Sequence, residues 1–139
     1  MADTIKIADL NVLVLAGGQG TRLQPVLGEK AKVLAQVGEK PFLSHLLSHL
    51  NSQGIQRVVL ALGCFHQEVL DYLDSQSFEG LQVVPVVEDE PLGTAGAIRN
   101  ALQALDSNPV FVLNGDTFAE VHLESLLAFH QEQGAAVTL

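Results

Sequence analysis

Residues 11–20 read NVLVLAGGQG, and residues 21–25 continue TRLQP. Asn11 to Ala16 is an apolar run of strand length, and a glycine cluster follows it at once. Glycine costs chain entropy, so Gly17, Gly18 and Gly20 together need a reason. Either the chain turns sharply there, or something must approach its backbone closely.

Working outward from this strand, apolar runs alternate with helical periodicity. Pro41 to Gln53 reads as a helix whose Phe42, Leu43, Leu46, Leu47 and Leu50 share a face, with Gly54 at its end. Arg57 to Leu62 reads as a second strand and Gln67 to Leu73 as a short helix. Leu81 to Val87 is a third strand, in which Pro85 points to an edge or a bulge. Ala95 to Leu105 reads as helix, Val110 to Leu113 as a fourth strand and Leu123 to Gln133 as helix. A fifth strand is expected from Ala135, and because the sequence stops within it the chain reads as truncated at its C-terminus. Such alternation predicts an α/β fold: a Rossmann-like three-layer sandwich with a mostly parallel sheet covered on both faces. Ligands bind such sheets beyond the carboxyl ends of the strands, where both the glycine loop and the NGD of residues 114–116 lie.

The chain has 139 residues, 47% of them hydrophobic and 17% charged, which suits one folded domain spanning 1–139. No apolar stretch approaches the ~20 residues of a membrane span. The first ten residues lack the pattern of a secretory signal. A lone cysteine, Cys64, excludes an internal disulfide, so a cytoplasmic protein is expected. Sixteen acidic residues against seven basic ones give a formal charge of −9, which argues against nucleic-acid binding. A small phosphorylated ligand needs only a few cations, and Arg22, Lys30, Lys32 and Lys40 cluster beside the glycine loop.

Two familiar phosphate loops fail here. G-x-G-x-x-G would need glycine where Leu23 stands, and G-x-x-x-x-G-K-[ST] lacks its Gly-Lys pair. What remains is a bare backbone able to wrap an anion, with Arg22 to fork onto phosphate oxygens and Lys32 as a point charge. A plain strand-to-helix turn is the competing explanation.

LAGGQGTRLQPVLGEKAKVL (residues 15–34) resembles the signature of the sugar-phosphate nucleotidyltransferases. The likeness continues through VGEKPFLSHLLSHL, EDEPLGTAGAI and VLNGDTF in the family's order, and it is nearest to guanylyltransferases acting on heptose 1-phosphate or mannose 1-phosphate. The resemblance implies the nucleotide-binding N-terminal portion of an enzyme that joins a nucleoside triphosphate to a sugar 1-phosphate and releases pyrophosphate. It implies a nucleotide cradle of Leu15, Ala16, Gly17, Gly18, Gly20 and Thr21, with Arg22 stabilising the departing pyrophosphate and Lys32 clamping substrate phosphates. The family's proline before that lysine is Ala31 here, and Gln36 stands where proline is common. Both departures should loosen the loop more than they alter its chemistry.

Residues 88–98, EDEPLGTAGAI, read locally as a loop with Gly93 in a turn and Thr94 as helix N-cap. The resemblance instead puts Gly93 and Thr94 against base and sugar, and Glu88 on the base edge. A carboxylate only accepts hydrogen bonds, and guanine offers two adjacent donors, so Glu88 leans toward GTP. NGDTF, residues 114–118, carries the Asn-Gly hairpin signal. The segment beyond Thr117 reads as helix rather than returning strand, which favours Asp116 as a ligand for Mg2+. His45 and His49 lie opposite the leucine stripe and are expected to be solvated, and no role is assigned to the remaining histidines or to Cys64.

The implied chemistry is in-line attack on the α-phosphorus, with charge supplied by Arg22, Lys32 and Mg2+ on Asp116. Two other readings stay open. One is a cytidylyl-, thymidylyl- or uridylyltransferase, or a cofactor-modifying guanylyltransferase, of the same fold. The other is a folded, catalytically inactive chain that forms a homo-oligomer through an unpaired sheet edge.

Overall fold

The structure is a computed structural model and describes residues 5–18, 28 and 30–139. Its sheet has four strands, all parallel: β1 (Asn11–Ala16), β4 (Arg57–Leu62), β5 (Gln82–Val87) and β6 (Val110–Asn114), in spatial order β5-β4-β1-β6. β1 lies between β4 and β6, with Val14 level with Leu60 on one side and Leu113 on the other. Pro85 sits on the edge strand β5, where a missing N–H costs no ladder bond. A short antiparallel hairpin, β2 (Gln36–Val37) with β3 (Lys40–Pro41), turns at Gly38, whose φ is +64°.

Side chains alternate between the two faces of β1 and β4, and each face is covered. Val12, Val14, Val58, Leu60 and Leu62 pack against Leu43, Leu46, Leu47 and Leu50 of helix α1 (Phe42–Ser52). Val69 of α2 (His66–Ser75) and Leu123 of α4 (Leu123–Gln133) extend this face. Leu13, Val59 and Ala61 face the other way, onto Ala97 and Ala101 of α3 (Gly93–Ala101). Fully burying one such Leu or Val stabilises by roughly 1.5–3 kcal/mol, so this double-sided core fixes where every strand ends. The three-layer α/β architecture expected from the alternation is present.

Four local expectations differ. Residues from Ala135 onward form no strand: Gly134, with φ +56°, ends α4, and the His130 ring bonds the Thr138 hydroxyl at 2.8 Å, drawing the segment back onto α4. The helix expected from Ala95 begins at Gly93 and passes into a 3-10 turn at Leu102–Ala104. Its N-cap is Leu92 rather than Thr94, and Leu92 makes no side-chain capping bond. The segment after Thr117 runs irregularly before α4 begins at Leu123. Among the described residues no helix is long and apolar enough to cross a membrane.

Candidate functional site

Each of the four parallel strands is followed directly by a residue that shapes one end of the sheet: Gly17 after β1, Gly63 after β4, Glu88 after β5 and Gly115 after β6. The backbones approach closely there. A Cβ on Gly63 would lie 2.5 Å from the Gly17 carbonyl oxygen, and one on Gly115 would lie 2.9 Å from that of Leu15. No side chain fits at either position. Gly115 N–H donates to the Leu15 carbonyl at 2.8 Å, and Glu88 N–H to that of Leu62 at 2.8 Å. These bonds join the strand ends into one floor.

Above this floor is a cavity of about 360 Å³. It gathers Leu15, Ala16, Gly17, Gly18, Lys32, Glu88, Gly93, Thr94 and Asp116, nine of the residues singled out from sequence. Gly20, Thr21 and Arg22 lie outside the described residues. Asn114 and Gly115 also line the cavity, as do Val33, Pro91 and Ala97. Gly63 was not picked out from sequence, although a glycine immediately after the RVVLAL strand is a legible sign of close backbone approach.

Lys32 enters from the 3-10 turn Lys32–Leu34, held by the buried Val33 and by a bond from Leu34 N–H to the Ala31 carbonyl. Its Nζ donates to Asp116 Oδ2 at 2.6 Å. Asp116 Oδ1 accepts the Thr117 hydroxyl at 3.1 Å. The Lys32 ammonium hydrogen-bonded to it, against partial burial, holds the Asp116 carboxyl below its ordinary value, with the Thr117 hydroxyl assisting. Most of the loop expected to loosen lies outside the described residues. Ala31 is buried with φ −60° and ψ 119°, the backbone a proline would adopt, and its N–H donates to Glu68 Oε2 at 3.3 Å. Gln36 lies in the β2–β3 hairpin.

Glu88 is on the opposite wall and is 9% exposed. Its Oε2 accepts the Leu92 N–H at 3.3 Å, whereas the buried Oε1 has no hydrogen-bond partner among the described residues. A buried carboxylate oxygen without a donor is costly, so this atom is poised for a ligand that brings one. Gly93 has φ +69°, and a Cβ there would meet nothing within 4 Å among the described residues, so the helix begins with bare backbone at the cavity.

Asp116 supplies one carboxylate, and among the described residues no three His, Cys, Asp or Glu side chains gather as a metal cage. That donor set fits a hard cation such as Mg2+ only if water and phosphate oxygens complete its shell. His49 departs from expectation. It is half-buried, packs against Phe118 with ring centroids 4.6 Å apart and planes tilted by 49°, and bonds Gln53 at 2.9 Å. His45 Nε2–H donates to the Val37 carbonyl at 2.9 Å.

Fold and site together define an α/β protein with a cavity beyond the carboxyl ends of a parallel sheet, the place where such sheets take ligands. Residues 11–139 match the Nucleotidyl transferase family, and the chain belongs to that family. It is 37% identical over 117 residues to a D-glycero-alpha-D-manno-heptose 1-phosphate guanylyltransferase of Campylobacter jejuni, covering 84% of this chain and 52% of that one. It is 37% identical to a mannose-1-phosphate guanylyltransferase of Mycobacterium tuberculosis, covering 94% of this chain and 36% of the relative. The crystal structure of HddC from Yersinia pseudotuberculosis complexed with GMP-PN superposes with a TM-score of 0.80 at 36% identity, over 87% of this chain and 54% of that one. The chain thus spans about half the length of the heptose-phosphate relatives it matches.

Proposed function

We propose that this chain is the nucleotide-binding part of a sugar-1-phosphate guanylyltransferase, which transfers GMP from GTP to a sugar 1-phosphate and releases pyrophosphate. The observation that carries the reading is the cavity's polarity. An acceptor-only carboxylate whose buried Oε1 has no partner among the described residues lines the cavity, and so does a cation paired with an aspartate. Guanine presents adjacent ring N–H and amino donors, which suit Glu88, while the triphosphate suits Lys32.

The reaction is an in-line displacement. An oxygen of the sugar 1-phosphate attacks the α-phosphorus of GTP, a new P–O bond forms, and the bond to the pyrophosphate oxygen breaks. No protein nucleophile is required, so the chain's task is to position the reactants and offset charge. Glu88 and Gly93 would fix the base, and Gly17 and Gly18 would let backbone approach the phosphates. Lys32 would leave Asp116 for the phosphates, and Arg22 would attract the departing pyrophosphate. Mg2+, held by Asp116 together with phosphate oxygens, would supply further charge neutralisation.

The test is pyrophosphate release from GTP with Mg2+ and either mannose 1-phosphate or D-glycero-D-manno-heptose 1-phosphate. Release that depends on the sugar phosphate and falls at least tenfold in Arg22→Ala supports the assignment. Release unaffected by Arg22→Ala contradicts the role given to that residue.

A further inference from the structure

We infer that Glu68 is a positioning residue for Lys32, acting through the backbone N–H of Ala31. The inference rests on the role given to Lys32 above. Glu68 occupies the third position of α2, in the first turn, where a carboxylate usually serves the unpaired amides of its own helix. Here its Oε2 accepts instead from Ala31, 37 residues earlier, at 3.3 Å. Among the described residues Glu68 enters no ion pair.

Ala31 is 6% exposed, so its N–H needs an acceptor from within the protein. It is also the N-cap of the Lys32–Leu34 turn and the residue immediately before the lysine that crosses to Asp116. Fixing the Ala31 amide fixes the direction in which that turn starts. The φ of −60° there is one that proline imposes without any acceptor, so hydrogen bond and ring are interchangeable ways of holding the same backbone.

The sign of the effect separates positioning from simple charge. Removing a carboxylate near an anion-binding lysine should tighten triphosphate binding if Glu68 acts only through its field. If it positions Lys32, Glu68→Ala weakens binding about threefold to tenfold, the range of one charge-assisted hydrogen bond in a partly exposed setting. Glu68→Gln keeps the acceptor and therefore keeps the affinity. In the double variant Ala31→Pro with Glu68→Ala, the ring needs no acceptor and the affinity returns.

The experiment has two arms on the full chain and these variants. The first uses no ligand: the side-chain carboxyl carbon resonance of Asp116 at pH 7, with Lys32→Met marking the unpaired state. Glu68→Ala should move the resonance toward that mark, and Glu68→Gln and the double variant should leave it near the wild-type position. The second is calorimetric titration with GTP and Mg2+. A Glu68→Ala protein with an unmoved Asp116 resonance overturns the inference, as does one that binds GTP more tightly. A resonance that moves in Glu68→Ala, together with a wild-type chain that binds no GTP, upholds the positioning and overturns the function proposed for the site.

Discussion

Lys32 and Asp116 are 84 residues apart in sequence, yet the Lys32 ammonium lies 2.6 Å from the Asp116 carboxylate, and both line the cavity. Each is the group that the other's ligand would displace: a phosphate would compete for the lysine, a cation for the aspartate. Both side chains are more than a third accessible, or nearly so, and the pair's worth to stability is small, below about 1 kcal/mol. Its value is in holding opposite charges ready at one place.

Replacing Lys32 by Met should therefore raise the Asp116 pKa toward the ordinary aspartate value, read by NMR titration of the carboxyl carbon. The folded-state pKa is lowered in the wild type, so the pair's stabilisation is present above the unfolded pKa of roughly 4 and fades as pH falls through the lowered value. In Lys32→Met the part of that acid-dependent loss due to the ammonium should disappear, leaving the smaller part due to the Thr117 hydroxyl. An unchanged Asp116 titration would show that the pair does not persist in solution.

Glu88→Gln should move stability and binding in opposite directions. The folded chain gains or holds stability in urea, because a buried charged oxygen without a donor among the described residues is replaced by a neutral amide. Affinity for GTP should fall about tenfold, since a well-placed hydrogen bond to a charged group is lost. A loss of stability with unchanged GTP affinity would mean that Glu88 serves the fold and not the base.

Gly63→Ala forces a Cβ to within 2.5 Å of the Gly17 carbonyl oxygen, and a backbone atom cannot step aside without moving β1. A cost of ~1–3 kcal/mol in urea denaturation is expected from such overpacking. Because Gly17 lines the cavity, nucleotide affinity should fall in the same variant. A variant as stable as wild type would show that the two strand ends are not held together in solution.

How much of this was legible in the sequence depends on the length over which each signal repeats. β1, β4 and the leucine face of α1 run long enough for periodicity to declare them, and their observed bounds lie within a residue of those read. The β2–β3 hairpin has two residues per strand, too few for any period, and only Gly38 marked its turn. Ala135 to Leu139 has strand composition, but composition does not reveal that Thr138 bonds back to His130. In the site, Asp116 and Lys32 were legible from motifs, whereas their pairing is a product of topology. Glu68 carried no sequence signal because its partner is a backbone amide on a distant turn. His49 looked solvated because its helix position says nothing of Phe118, which arrives from beyond β6.

The most direct measurement is calorimetric titration of the chain with GTP, CTP, dTTP and UTP, each with Mg2+. Saturable binding of GTP, at least tenfold tighter than any pyrimidine nucleotide and weakened in Glu88→Gln, is the expected result. Equal binding of all four, or tighter binding of a pyrimidine nucleotide, would contradict the guanine-specific site.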